Sequence, residues 1–246
     1  MSEEQSFTLD GRQIPFQDGQ TLMTAALAAG VYIPHLCFNR EFAPHGSCRV
    51  CLVKVNGRMQ AACTTPAAAG QTVQNETGEL REIRRGILQM LFVEGNHVCP
   101  ACEKSGACQL QAVAYYVGML APHYTHFYPR RPVDASHPEA VIDFNRCILC
   151  ELCVRASRDV DGKNVFAVQG RGIEAHLVVN TPSGKLGATD FSIHDKAAQV
   201  CPTGAILTKH RGYEIPIGQR LYDRKPISVV GDVATLSESK GGRRHE

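Results

Sequence analysis

Long apolar runs are missing from this chain of 246 residues. Its most apolar stretches, Gly86–Val93 and Ala112–Ala121, fall far short of the roughly 18–20 residues needed to span a bilayer. The opening MSEEQSFTLDG is acidic and lacks the apolar segment of a secretory signal. An excess of one charge is missing too: 26 Lys and Arg against 24 Asp and Glu leave a formal +2. That figure counts each cysteine as neutral, whereas metal-bound sulfur is thiolate. No basic run interleaved with aromatics offers a nucleic-acid face, and the pairs Arg84-Arg85, Arg130-Arg131 and Arg243-Arg244 read as solvated surface. No G-x-x-x-x-G-K-[ST] loop occurs. Gly170-Arg171-Gly172 with Ala175 matches G-x-G-x-x-A, but His176–Asn180 reads as a strand where a dinucleotide site requires a helix, so the motif is expected to be a β-turn. These absences predict a soluble, cytoplasmic protein without membrane or nucleic-acid partners. They also leave it without an evident flavin, nicotinamide or substrate site.

Cysteine is what the chain has. All eleven fall into three sets. Cys37, Cys48, Cys51 and Cys63 are spaced C-x10-C-x2-C-x11-C. Cys99, Cys102 and Cys108 are spaced C-x2-C-x5-C, with His97 just upstream. Cys147, Cys150 and Cys153 are spaced C-x2-C-x2-C and are completed by Cys201 in a Cys-Pro pair. In a reducing compartment such spacings favour metal or redox chemistry over disulfides. Iron–sulfur irons want soft thiolates in near-tetrahedral arrangement, and C-x2-C supplies two from one tight turn.

Four cysteines in the first set suit one [2Fe–2S] cluster, two ligands per iron, although the spacing is not the plant-type one. His35 and His45 lie nearby and are expected to be structural. The third set resembles the bacterial run C-x2-C-x2-C-x3-C-P, except that Ser157 stands where the fourth cysteine would be. One [4Fe–4S] cluster on Cys147, Cys150, Cys153 and Cys201 is the self-consistent reading. The middle set has three cysteines, so a [4Fe–4S] cluster there needs another ligand, and His97 is the candidate. A neutral imidazole in place of thiolate should raise the potential, as it does in Rieske centres. Zinc is the alternative for all three sets, giving a zinc-stabilised interaction scaffold. Structural zinc sites usually take two C-x2-C pairs, however, which C-x2-C-x2-C with a distant Cys-Pro is not.

The local pattern is α+β. Hairpins are expected over Phe7–Phe16, turning at Asp10-Gly11, and over Leu52–Ala61, turning at Asn56-Gly57. A helix capped by Thr21 should cover Leu22–Ala29. Another, capped by Thr77, should present Leu80, Ile83, Ile87, Leu88 and Leu91 on one face. A third should follow Cys108 over Gln109–Met119. From Val141 the pattern is a strand, a helix over Val154–Asp159, strands near Phe166 and Leu177, and a helix into Cys201. This divides the chain into four parts. A β-grasp [2Fe–2S] domain (1–75) is followed by a small helical [4Fe–4S] module with one histidine and three cysteines (76–130). A ferredoxin-like [4Fe–4S] domain (131–212) and an extended carboxy-terminal arm (213–246) complete it. Units this small are commonly stapled by metal.

With segments such as EGNHVCPACEKSGACQLQ and DFNRCILCELCVRASRDVDGKNVFAVQGRG, the chain resembles the amino-terminal part of the large iron–sulfur subunit of NADH–quinone oxidoreductase. Related modules occur in NAD-dependent formate dehydrogenases and iron-only hydrogenases. Stopping without a large catalytic domain, it most resembles the small diaphorase subunits of cytoplasmic NAD-reducing nickel–iron hydrogenases, over roughly residues 5–230. That resemblance implies an electron relay between a flavin- and NAD(H)-binding partner and nickel–iron hydrogenase subunits. The wider family usually has H-x3-C in the middle module, where this chain has Gly95 and carries its histidine as H-x-C. The equivalent relay of a formate dehydrogenase or a split NADH–quinone oxidoreductase is the nearest alternative.

Overall fold

Asp10 and Gly11, at φ of 47° and 83°, make the two-residue turn joining β1 (Ser6–Leu9) to β2 (Arg12–Pro15). Asn56 and Gly57 repeat this geometry between β3 (Leu52–Val55) and β4 (Arg58–Ala61). β5 (Thr72–Gln74) runs parallel to β1 and antiparallel to β3, closing a mixed sheet of order β2-β1-β5-β3-β4. α1 (Leu22–Ala28) begins at a capping box in which the Thr21 and Thr24 side chains satisfy each other's backbone amides. Its buried Leu22, Met23, Ala25 and Ala26 join Phe7, Leu9, Ile14, Val53 and Val73 in one core. The computed structural model describes residues 5–232. Residues 1–4 of the acidic start, the Arg243-Arg244 pair and residues 233–246 of the expected arm lie outside the described residues.

α2 (Gly78–Val93) starts where the Thr77 hydroxyl accepts from the Leu80 amide. Its buried ridge is Leu80, Arg84, Leu88 and Phe92, at four-residue steps, while Ile83, Ile87 and Leu91 are half-buried. Arg84 corrects the sequence expectation. It is 2 % exposed and donates to the carbonyls of Val50, Leu52 and Asn75 and to the Asn75 side chain. Four acceptors in fixed positions replace the water that a solvated arginine would keep. α3 (Gln109–Tyr116) ends before the expected Met119 because the chain turns at Gly118, φ 75°. Residues 121–138, whose Pro, His and aromatic content predicts a linker or wrapping loop, run without regular structure except for a two-residue strand at Val133–Asp134.

β6 (Val133–Asp134) and β7 (Ala140–Asp143) belong to a three-stranded antiparallel sheet completed late in the chain. α4 (Leu152–Asp159) leaves the triple-cysteine loop, followed by the hairpin β8 (Phe166–Gln169) and β9 (His176–Val179). The Gly170–Ala175 segment between these strands is a turn with no helix after it, as expected. α5 (Lys196–Gln199) leads to Cys201, and β10 (Ile206–Thr208) closes the sheet in the order β10-β7-β6. Ser157, standing at the fourth-cysteine position, is buried. Its hydroxyl accepts from the Val165 amide and its carbonyl from those of Lys163 and Asn164.

The expected extended arm differs in one respect: its described part, residues 213–232, folds back on the chain. The Tyr222 amide donates to the Gly106 carbonyl, and α6 (Ile227–Val230) packs on α3 with Ile227 fully buried. Tyr222 and Ile227 bring enough apolar surface to hold an otherwise irregular segment against the α2–α3 core.

Candidate metal centres

The first set converges in the loop between α1 and β3 and at the end of β4. Left-handed backbone at Gly46 (φ 73°) and Arg49 (φ 56°) winds this loop so that Cys48 and Cys51 face inward. The sulfurs sort two and two. The Cys51 and Cys63 sulfurs lie 3.4 Å apart, and Cys37 is hydrogen-bonded to Cys48. Within each pair the partner's hydrogen bond holds one sulfur, Cys37 or Cys51, toward thiolate and holds Cys48 or Cys63 protonated. His35 is not part of the set. It is buried, with Nδ1 2.7 Å from the Ile33 carbonyl and Nε2 2.7 Å from Asp232 Oδ2. His45 faces Glu151 at 3.2 Å. Both histidines thus face carboxylates.

At the middle set, Cys99 opens a single helical turn through Pro100, and Cys108 caps the start of α3. His97, Cys99, Cys102 and Cys108 line one cavity, closed by Phe92, Leu110 and Gly204 and flanked by Arg146. His97 Nε2 is buried and has no hydrogen-bond partner among the described residues. Burial first, then the nearby Arg146 charge, hold the imidazole pKa down to about 4, so it is neutral at neutral pH, as a ligand must be. Gly95 lies against this ring: a Cβ there would sit 2.6 Å from His97 Nε2 and 2.8 Å from the Asn145 carbonyl. Arg146 Nη1 lies 3.6 Å from the Cys102 sulfur while pairing with Glu103 and Asp143.

In the third set, Leu149 and Glu151 adopt left-handed φ of 51° and 58°, a conformation rare for such residues. The two bends coil the loop so that Cys147, Cys150 and Cys153 face the same cavity as Cys201. Burial pushes the Cys147 thiol up to about 11, raises Cys150 and Cys153 well above the ordinary thiol range, and takes Cys108 of the middle set to about 12. Thiolates this deeply buried need a cation to stabilise them.

The three sets adjoin. The Gln109 side-chain amide donates to the His35 carbonyl, linking middle to first. The Gln109 amide donates to the Pro202 carbonyl, linking middle to third. Arg155 donates to the Cys37 carbonyl at 2.6 Å and reaches the Cys150 carbonyl at 3.5 Å, linking third to first. Among the described residues, no three His, Cys, Asp or Glu side chains close on a point as a single ion requires. The middle and third sets ring cavities with sulfurs, one imidazole and apolar walls, and the first set gathers its sulfurs as two pairs. That donor set fits polynuclear iron–sulfide groups better than isolated zinc. The structure thus gathers every candidate ligand into its expected set. Sequence reasoning missed the buried Arg84 and Arg155 and the half-buried Arg146, since hydrophobic periodicity carries no sign of the distant backbone carbonyls and carboxylates that hold them.

Comparison with known proteins bears on these centres. Residues 2–78 match the 2Fe-2S iron-sulfur cluster binding domain, residues 84–123 the NADH-ubiquinone oxidoreductase-G iron-sulfur binding region, and residues 141–208 the 4Fe-4S single cluster domain. The NAD-reducing hydrogenase HoxS subunit gamma of Cupriavidus necator is 40% identical over 221 residues, covering 89% of this chain and 94% of that protein. The NADPH-Fe(3+) oxidoreductase subunit alpha of Geobacter sulfurreducens is 35% identical over 206 residues, but this chain spans only 24% of its length. A solved NAD+-reducing [NiFe]-hydrogenase in the H2-reduced state contains a chain 52% identical, with a TM-score of 0.89, covering 92% of this chain and 96% of that one.

Proposed function

The chain belongs to the family of NAD-reducing hydrogenase gamma subunits, and on that premise we infer which residues carry its electrons and between which partners. It is a non-catalytic iron–sulfur electron-transfer subunit of an NAD-reducing hydrogenase. One [2Fe–2S] cluster would be held by Cys37, Cys48, Cys51 and Cys63. One [4Fe–4S] cluster would be held by His97, Cys99, Cys102 and Cys108, and a second by Cys147, Cys150, Cys153 and Cys201. The partners are a flavin- and NAD(H)-binding diaphorase subunit on one side and nickel–iron hydrogenase subunits on the other, in the cytoplasm. Among the described residues no helix is long and apolar enough to cross a membrane. The β2-β1-β5-β3-β4 sheet with α1 against it supports a β-grasp reading of residues 1–75. The helical module (76–130), the ferredoxin-like domain (131–212) and the remainder (213–246) follow from it.

The observation that carries this reading is the contiguity of the three sets through Gln109 and Arg155. When bound, the clusters would supply reversible one-electron carriage. The chain's own residues do the rest. The paired sulfurs of the first set fix two ligands for each iron. Phe92 and Leu110 keep water from the middle site, and Phe166, Leu177 and Ile206 keep it from the third. Arg146 donates toward the Cys102 sulfur and so favours the more negative, reduced state there.

The test is anaerobic purification of this chain for iron and acid-labile sulfide analysis, with nickel and flavin analysis of the complex it forms with its partner subunits. The expected result is about ten irons per chain, two from a [2Fe–2S] and four from each [4Fe–4S] cluster, with three paramagnetic signals on reduction. A colourless, zinc-loaded protein would overturn it. Co-purified molybdenum in place of nickel would move the relay to a formate dehydrogenase.

A further inference from the structure

Arg155 lies in α4, two residues beyond Cys153, and is 6% exposed. Its Nη1 donates to the Ala43 carbonyl at 2.9 Å, and its Nη2 donates to the Cys37 carbonyl at 2.6 Å and reaches the Cys150 carbonyl at 3.5 Å. Its Nε lies 3.4 Å from the Glu151 carbonyl, and the guanidinium sits over the Phe42 ring, 5.6 Å from its centre. Every acceptor is a neutral carbonyl. Among the described residues no carboxylate is within ion-pairing distance of Arg155, whereas Arg146 has both Asp143 and Glu103. A buried cation without an anion is costly, and protein interiors rarely leave one uncompensated. Two of the carbonyls it grips belong to ligands of different sets, Cys37 of the first and Cys150 of the third. Besides the exposed Asp159 carboxylate, the charge acts on the Cys37 sulfur, and its carbonyl contacts set it against ligand residues of both sets.

We propose that Arg155 is the shared counter-charge of the first and third iron–sulfur centres, holding both reduction potentials up together while fixing the spacing of their two loops. The inference rests on the cluster assignment proposed above. The physics is Coulombic: a fixed positive charge stabilises the state with one more electron, and in a dry interior it acts on both neighbours at once. The planar fork reaches the carbonyls of Ala43 and Cys37 from separate nitrogens while stacking over Phe42, an arrangement the single ammonium nitrogen of a lysine does not reproduce.

Potentiometric titration of the purified complex, followed by electron paramagnetic resonance, tests this with three variants. Arg155→Gln should shift the midpoints of the [2Fe–2S] and third clusters to more negative values and leave the middle, histidine-ligated cluster unmoved. Arg155→Lys, which keeps the charge, should shift both less. Unmoved midpoints in Arg155→Gln, or an equal shift of all three clusters, would overturn the proposal. If Arg155→Gln does not load its clusters, Ala43→Asp carries the test. It sets a carboxylate on the exposed loop beside Nη1, and a negative shift of both midpoints is expected; no shift overturns the proposal. Absence of the three signals in the unaltered protein would instead remove the cluster assignment itself.

Discussion

An imidazole ligates iron only when neutral, and His97 is held neutral by burial and by Arg146. Replacing His97 with alanine should empty the middle site, lowering iron from about ten to about six per chain. The [2Fe–2S] signal would remain. Replacing it with cysteine should keep the iron but lower that cluster's potential, because a fourth thiolate adds negative charge. An unchanged midpoint in His97→Cys would remove His97 from the ligand set. Gly95 belongs to the same argument. Its Cβ position lies 2.6 Å from the imidazole Nε2 and 2.8 Å from the Asn145 backbone, so the ring occupies the space a side chain would fill. Gly95→Ala should therefore displace His97, and iron content should again fall toward about six. Full occupancy with an unchanged signal would show that the ring tolerates the methyl group. The H-x-C spacing and Gly95 are two aspects of one arrangement: the glycine makes room for the histidine two residues on.

The α2 helix shows what an element hides from pattern reading. Apolar residues at three- and four-residue steps correctly predict a helix between Thr77 and the middle cysteines. The same steps put Arg84 on that apolar face, between Leu80 and Leu88, although its charge reads as solvated surface. Its partners, Val50, Leu52 and Asn75, come from the cluster loop, β3 and the residues after β5, and no local window contains them. Turns and caps were legible because they are local: Asp10-Gly11, Asn56-Gly57, Thr21 and Thr77 each satisfy their own neighbours. Cysteine sets were legible because thiolates at these spacings have few other uses. Buried arginines were not, since long-range backbone acceptors make them possible. Arg84→Met should leave three carbonyls unpaired, at about 1–3 kcal/mol for each buried acceptor. At about 2–4 °C per kcal/mol for a chain of this length, thermal unfolding followed by circular dichroism should show a drop of several degrees. An unchanged transition would mean that water reaches these carbonyls.

At the scale of the whole molecule, residues 213–232 form a strap over the middle centre. Tyr213 donates to the Ala101 carbonyl, and the Tyr222 amide to that of Gly106, so the strap is tied to both ends of the Cys99–Cys108 loop. Its Arg220 guanidinium lies over Gly106, whose left-handed φ of 75° itself favours glycine there. Ile227 is fully buried among Leu110, Val113 and Leu36, and Asp232 pairs with His35 two residues before Cys37. The strap thus spans two centres with the same short segment, held by these hydrogen bonds and by the buried Ile227. Ile227→Asp places a carboxylate in that core and should release the strap without touching a ligand. The expected outcome is faster loss of the middle cluster to an iron chelator under argon, with the third cluster, away from the strap, leaving at its usual rate. Equal rates of loss in the variant and the unaltered protein would mean that the α2–α3 core alone shields the middle site, leaving the strap to serve only the His35–Asp232 contact beside Cys37.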